Sequence, residues 1–146
     1  MLLTTIPKDQ RRGLATIPIR ARHVREAFPH RFCKEKPTGW VISGDDFFHH
    51  RFSHSSAVVT KSGPPGSDLP CNYVRPGGLY ISLHIQGAYF HHGQDSLERM
   101  QDFMDKNGLV PDGDVFLFPI ISYWVTNNPE EYINSLSVKV VPAGSK

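Results

Sequence analysis

The chain reads as an α+β domain, and three features of its 146 residues carry that reading. Tyr80-Ile81-Ser82-Leu83-His84-Ile85-Gln86 alternates strictly between apolar and other side chains, the period of a half-buried strand. Asp95-Ser96-Leu97-Glu98 opens a helical pattern in which Leu97, Met100, Phe103 and Met104 recur on one face. Between the two ends lies Lys61-Ser62-Gly63-Pro64-Pro65-Gly66-Ser67-Asp68-Leu69-Pro70, too rich in proline and glycine for helix or sheet. This loop separates stretches of about residues 10–60 and 72–142. Neither stretch could hold a core alone, so residues 1–146 are expected to form a single domain.

In chain order, Leu14-Ala15-Thr16-Ile17-Pro18-Ile19 is the first strand candidate. Ala21 to Phe28 predicts a short helix stopped by Pro29. The spacing from Ile19 to Trp40 leaves it less than three turns, shorter than any helix in the second half. Trp40-Val41-Ile42 and a stretch within Phe47 to Val59 are the next strands, and Asp45 and Asp46, after Gly44, read as a turn. In the second half Gly77-Gly78 turns the chain into the strand at 80–86, with Ile81, Leu83 and Ile85 on one face and Tyr80, Ser82 and His84 on the other. Gly87 ends it. Asp95 as N-cap with Glu98 three residues on makes a capping box, and Asn107-Gly108 a left-handed stop, so the helix spans about 96–106 and is the longest in the chain. Val115 to Tyr123 is apolar on both faces, as in a strand that is covered on both sides or lines a cavity. Pro119 places it at an edge or at a bulge. After the turn Thr126-Asn127-Asn128-Pro129, residues Asn134 to Val141 alternate again with Leu136, Val138 and Val140 inward. Each half thus runs strand–helix–strand–strand, and the strands are expected to form an antiparallel sheet.

Composition narrows the function classes. With 39% hydrophobic residues and 21% charged, the chain has the balance of a globular domain. No run of about 18 apolar residues occurs, so no membrane association is expected. Met1 to Pro7 is too short for the core of a signal peptide. Cys33 and Cys71 form no CxxC, in keeping with two thiols in a reducing cytoplasm. Residues 1–36 hold nine Lys/Arg against three Asp/Glu, a basic front end suited to an acidic partner. Phosphate-binding glycine loops, a GxSxG elbow and an HExxH pair are missing, so no enzyme and no cofactor are expected. His49, His50 and His54 lie close in sequence, as do His91 and His92. In a strand, His50 and His54 would sit about 13 Å apart, too far to share an ion, and the expectation is no metal site.

The stretch from Gly77 to Val141 resembles the GyrI-like family, the effector-binding domain at the C-terminal end of some AraC- and MerR-type transcription regulators. The matching pieces are Pro76-Gly77-Gly78-Leu79-Tyr80, Gly87-Ala88-Tyr89, the helix, Asn107-Gly108, Gly113-Asp114-Val115-Phe116 and Asn128-Pro129-Glu130-Glu131-Tyr132. The resemblance implies two strand–helix–strand–strand modules related by a pseudo-twofold axis, a curved antiparallel sheet and a central ligand cleft. Relatives that sense drugs hold flat cationic molecules between aromatic rings and a buried carboxylate. Here Leu117 stands at the acid's position, which argues against a simple cation site and against hydrolysis.

If Leu117 faces the cleft, so do Pro119 and Ile121, while Phe116, Phe118 and Ile120 pack under the helix. Tyr80, Ser82 and His84 then share the cleft side. Tyr132, and Tyr89, Phe90 and His92 at the approach to the helix, match pocket-lining stretches of the family. Trp40, Phe47 and Phe48 are the aromatic candidates of the first half, with Asp45 and Asp46 the nearest acids. The expected function is a stand-alone module binding planar hydrophobic or cationic drug-like molecules. It would work alone or with a DNA-binding domain on another chain, without touching DNA itself. The alternative is a protein-interaction module that binds and inhibits a partner such as a topoisomerase.

Overall fold

The computed structural model describes residues 1–27, 38–61, 71–122 and 125–144, apart from the side chains of Phe90 and His91. Pro29, Cys33, the loop from Ser62 to Pro70 and Tyr123 therefore lie outside the described residues. Six strands build one sheet: β1 (Leu2–Thr5), β2 (Thr38–Ile42), β3 (Ala57–Thr60), β4 (Leu79–Gln86), β5 (Leu109–Ile121) and β6 (Ile133–Pro142). Their order across the sheet is β1-β3-β2-β5-β6-β4. Every pairing is antiparallel, as expected. Among the described residues three α-helices accompany it: α1 (Ile17–Ala27), α2 (Gly44–Phe48) and α3 (Tyr89–Lys106).

The register explains which side chains go inside. One row, Thr4-Val58-Trp40-Leu117-Leu136-Leu83, crosses all six strands. Its face carries the helices. Ile85, Val115, Leu117, Leu136, Val138 and Val140 pack there with Leu97, Met100 and Met104 of α3 and with Phe47 and Phe52. On the same face Ile19 of α1 packs with Ile6 and Val58. The next row, Thr5-Ala57-Val41-Phe116-Ser137-Ser82, faces the other way.

That second face is crossed by a strap, residues 71–76. The Asn72 side chain accepts from Leu3 N–H at 2.8 Å and donates to Leu3 C=O at 2.9 Å. The Tyr73 ring stacks on Phe116. The Arg75 guanidinium lies 4.2 Å from the centroid of Phe116 and 4.4 Å from that of Tyr80, and donates to Ser137 Oγ and Ser137 C=O. Among the described residues no carboxylate pairs with Arg75, and burial pushes its pKa down.

Several local expectations are corrected. Leu14 to Ile19 is not a strand: Gly13–Thr16 is a 3-10 turn and α1 begins at Ile17. Pro18 sits in the first helical turn, where its missing N–H is no loss. With 11 residues α1 completes three turns, more than the expected stub, though α3 with 18 is longer. The strand expected within 47–59 is confined to its end, where β3 begins at Ala57. Asp45 and Asp46 are not a turn but the first turn of α2, where Ser43 is the N-cap and accepts from Asp46 N–H at 3.1 Å.

The long helix starts six residues before the expected N-cap, so the capping box is not used. Ala88 is the N-cap, and Asp95 and Glu98 lie inside the helix. Gly93 hid this part of the helix from the sequence, and the Tyr89 ring occupies the space where its Cβ would be. Asn107 does stop the helix, with Gly108 left-handed at φ +62°. Phe103 is 52% exposed and does not join the buried stripe. β5 starts at Leu109 rather than Val115, because Leu109 to Pro111 pair with Val140 to Pro142 before an irregular stretch at 112–114. β5 is an interior strand, and the register shift between Pro119 and Ile121 is the bulge that lets proline sit there.

Candidate functional site

Trp40 sits in the middle of the sheet, on β2, opposite Leu117 of β5. α1 packs over β1 and β3 and α3 over β4 and β5, so the β2–β5 seam runs between the two long helices. Trp40 is only partly buried there, and its ring touches both the cluster under α3 and the cluster under α1. Arg20 of α1 lies over the ring, with the guanidinium carbon 5.3 Å from its centroid. Such a contact adds about 0.5–1 kcal/mol at a partly exposed site.

α2 and the turn after it close one end of the seam. Asp46 is buried and saturated: Ser43 Oγ donates to it at 2.9 Å, Arg51 Nε at 2.6 Å, and Arg11 lies 3.6 Å away. Burial pushes its carboxyl up, but the bonds from Arg51 and Ser43 and the charges of Arg51 and His54 outweigh that and hold it below the usual range. Asp45 is exposed and pairs with Arg51 and His49. Neither acid is free to meet a cation at Trp40. Phe47 is fully buried core and Phe48 is 69% exposed, so the two adjacent rings do not line one wall. At the start of α3 the Tyr89 hydroxyl donates to Phe52 C=O at 2.9 Å, and burial raises its pKa.

The face assignment of β5 is reversed. Leu117, at 4% exposure, packs beneath α3, while Phe116 and Phe118 lie on the opposite side with Val41, Ala57 and Val59. A strand apolar on both faces carries no internal sign of which face meets the helix; the partners decide it. Tyr80, Ser82 and His84 consequently share a face with Phe116, not with Leu117. Tyr80 donates to Pro76 C=O beside the strap, and Ser82 and His84 are exposed.

The remaining candidates gather at the far end of β4 and β6. His92 Nε2 lies 3.8 Å from Glu130, and Tyr132 C=O accepts from Gly87 N–H. Pro119 is partly buried opposite Asn134. The Phe90 side chain lies outside the described residues. The candidates therefore divide among the helix-side seam (Trp40, Leu117, with Phe47 and Tyr89 nearby), the strap face (Tyr80, Ser82, His84) and this end. Sequence reading missed Arg20 and Arg75. Arg20 was hidden because its segment alternates like a strand, and Arg75 because only the strap's path brings it to Ser137.

Among the described residues no group of three or more His, Cys, Asp or Glu could hold a metal ion, and no helix is long and apolar enough to cross a membrane. Compared with family models, with curated proteins and with solved structures, the chain matches none.

Proposed function

We propose that the chain is a small-molecule-binding module, with its site at the β2–β5 seam and Trp40 as the surface on which a planar apolar ligand stacks. The observation that carries this reading is a large aromatic ring left partly open at the centre of the sheet, between two helices, where close packing normally buries such a group. Two further features support it. The strand order is what two strand–helix–strand–strand modules joined through β2 and β5 would produce, the arrangement implied by the resemblance to effector-binding domains. Trp40 and Leu117 are the cross-strand pair at that junction.

The charge at the seam selects among planar molecules. Arg20 brings a cation to the ring, and Asp45 and Asp46 are spent on arginines and Ser43. Neutral or anionic aromatic ligands are favoured over cations. Stacking and apolar burial of a few hundred Å² give several kcal/mol at about 25 cal/mol per Å², before association costs, which points to micromolar affinity.

The test uses Trp40 fluorescence in a Trp124→Phe background, since the chain has two tryptophans. Matched planar dyes carrying negative, zero and positive charge are titrated against it. Saturable quenching by the neutral and anionic dyes is expected, and the anisotropy of the same dyes should lose its saturable rise in Trp40→Leu. Absence of quenching by all three sinks the reading.

A further inference from the structure

The helical rod from Gly13 to Ala27 has two apolar sides, and among the described residues only one of them is packed. Ile19, His23 and Ala27 point to the sheet and are buried. Leu14, Ile17, Ala21 and Val24 fall three, four and three residues apart, which puts them on one stripe of the opposite side. Leu14 is 81% exposed, Ile17 56%, Ala21 exposed and Val24 partly so. The intervals are those of a heptad seam, the spacing by which one helix packs along another.

Charge decides what could lie on it. Arg12, Arg22 and Arg25 are exposed around the stripe, and among the described residues none has a carboxylate partner. Glu26, the nearest acid in sequence, is displaced from the stripe toward the sheet side. A second copy of this face would bring like charges together. The protruding aliphatic tips, spaced for interdigitation and edged by guanidiniums, suit a helix with an apolar stripe and acidic flanks, whose carboxylates accept paired N–H bonds from arginine.

We propose that the outer face of α1 is a docking surface for an acidic amphipathic helix of a partner protein. It is separate from the Trp40 seam and does not depend on ligand binding there. Leu14 and Ile17 anchor the partner, and Arg12, Arg22 and Arg25 set its charge and orientation.

The probe is a labelled synthetic helix with leucines at heptad spacing and glutamates beside them, read by fluorescence anisotropy. A control peptide replaces each glutamate with glutamine. Wild type is expected to bind the glutamate peptide, more weakly as salt rises. The Leu14→Ser/Ile17→Ser double variant, altered only at exposed positions, should bind roughly tenfold less tightly with an unchanged circular dichroism spectrum. Arg22→Glu/Arg25→Glu should lose the preference for the glutamate peptide. The proposal is overturned if the glutamine peptide binds equally well, or if the double variant binds like wild type. It is equally overturned if wild type binds neither peptide; binding to anionic phosphatidylserine vesicles, or a dimer that the double variant abolishes, would overturn it too and name the occupant instead.

Discussion

At the scale of single residues, backbone and space set the sharpest constraints. His50 is the one described non-glycine residue with positive φ, 59°, just past the end of α2. Arg51 N–H reaches back to Asp46 C=O at 2.7 Å across it, a helix stop in which the left-handed position favours glycine. His50→Gly is expected to stabilise the fold by about 0.5–1 kcal/mol in urea unfolding, since the strain relieved exceeds the entropy added to the unfolded chain. Gly39 shows the opposite case. A Cβ there would lie 2.0 Å from Leu117 C=O, where β2 runs beside β5. Gly39→Ala should therefore cost about 3 kcal/mol or more, seen as a lowered Tm or an insoluble product. Leu117→Glu would place a carboxylate beneath α3 rather than in an open cleft. The expected result is loss of about 3 kcal/mol or more of stability and no gain in cation binding.

Among elements, legibility in the sequence follows amphipathicity. β4 and β6 were readable because each has one buried face, so polar and apolar residues alternate. The C-terminal half of α3 was readable through Leu97, Met100 and Met104. α1 was legible only from Ala21 onward; its start was not, because Ile17-Pro18-Ile19 alternates like a strand, and what makes it helical is its packing on Val58 and His23's bonds to the sheet. The seam was half legible: Trp40 stood out as an aromatic, but its neighbour Arg20 comes from an element the pattern disguised. The two helix starts give a direct comparison. Ser43→Ala removes a bond to the Asp46 amide and should destabilise by about 1 kcal/mol. Asp95→Ala lies six residues inside α3 and should change stability by less than about 0.5 kcal/mol. Paired chemical denaturation of the two variants checks both values.

For the molecule as a whole, one buried histidine couples stability to pH. His23 Nδ1 shares a hydrogen with Thr4 at 2.8 Å and Nε2 with Thr60 at 2.8 Å, so α1 is bonded to β1 and β3 at once. Burial lowers its pKa below the ordinary 6.5; Glu26 opposes that shift and Arg20 adds to it. The unfolded chain therefore takes up the proton first as pH falls. Stability from this group is complete above about pH 6.5 and drains away below it. Thermal melts from pH 7.5 to 5.5 should show Tm falling, and His23→Gln should flatten the slope over that interval.

The clasp of Asn72 on Leu3 bears on how the molecule behaves in a crowd. β1 is an outer strand, and the N–H and C=O of Leu3 that face away from β3 are the groups a foreign strand would use to extend the sheet. One side-chain amide satisfies both, and beside it the Asn72 and Tyr73 N–H groups donate to Met1 C=O, so the strap stands in for a neighbouring strand. This border of the sheet is therefore already occupied, and recruitment of further chains through it is blocked without a charge or a proline. Asn72→Ala would free the Leu3 groups while the strap's backbone bonds to Met1 remain, and the consequence is weak association that grows with concentration, nucleated at Leu3 and visible in light scattering.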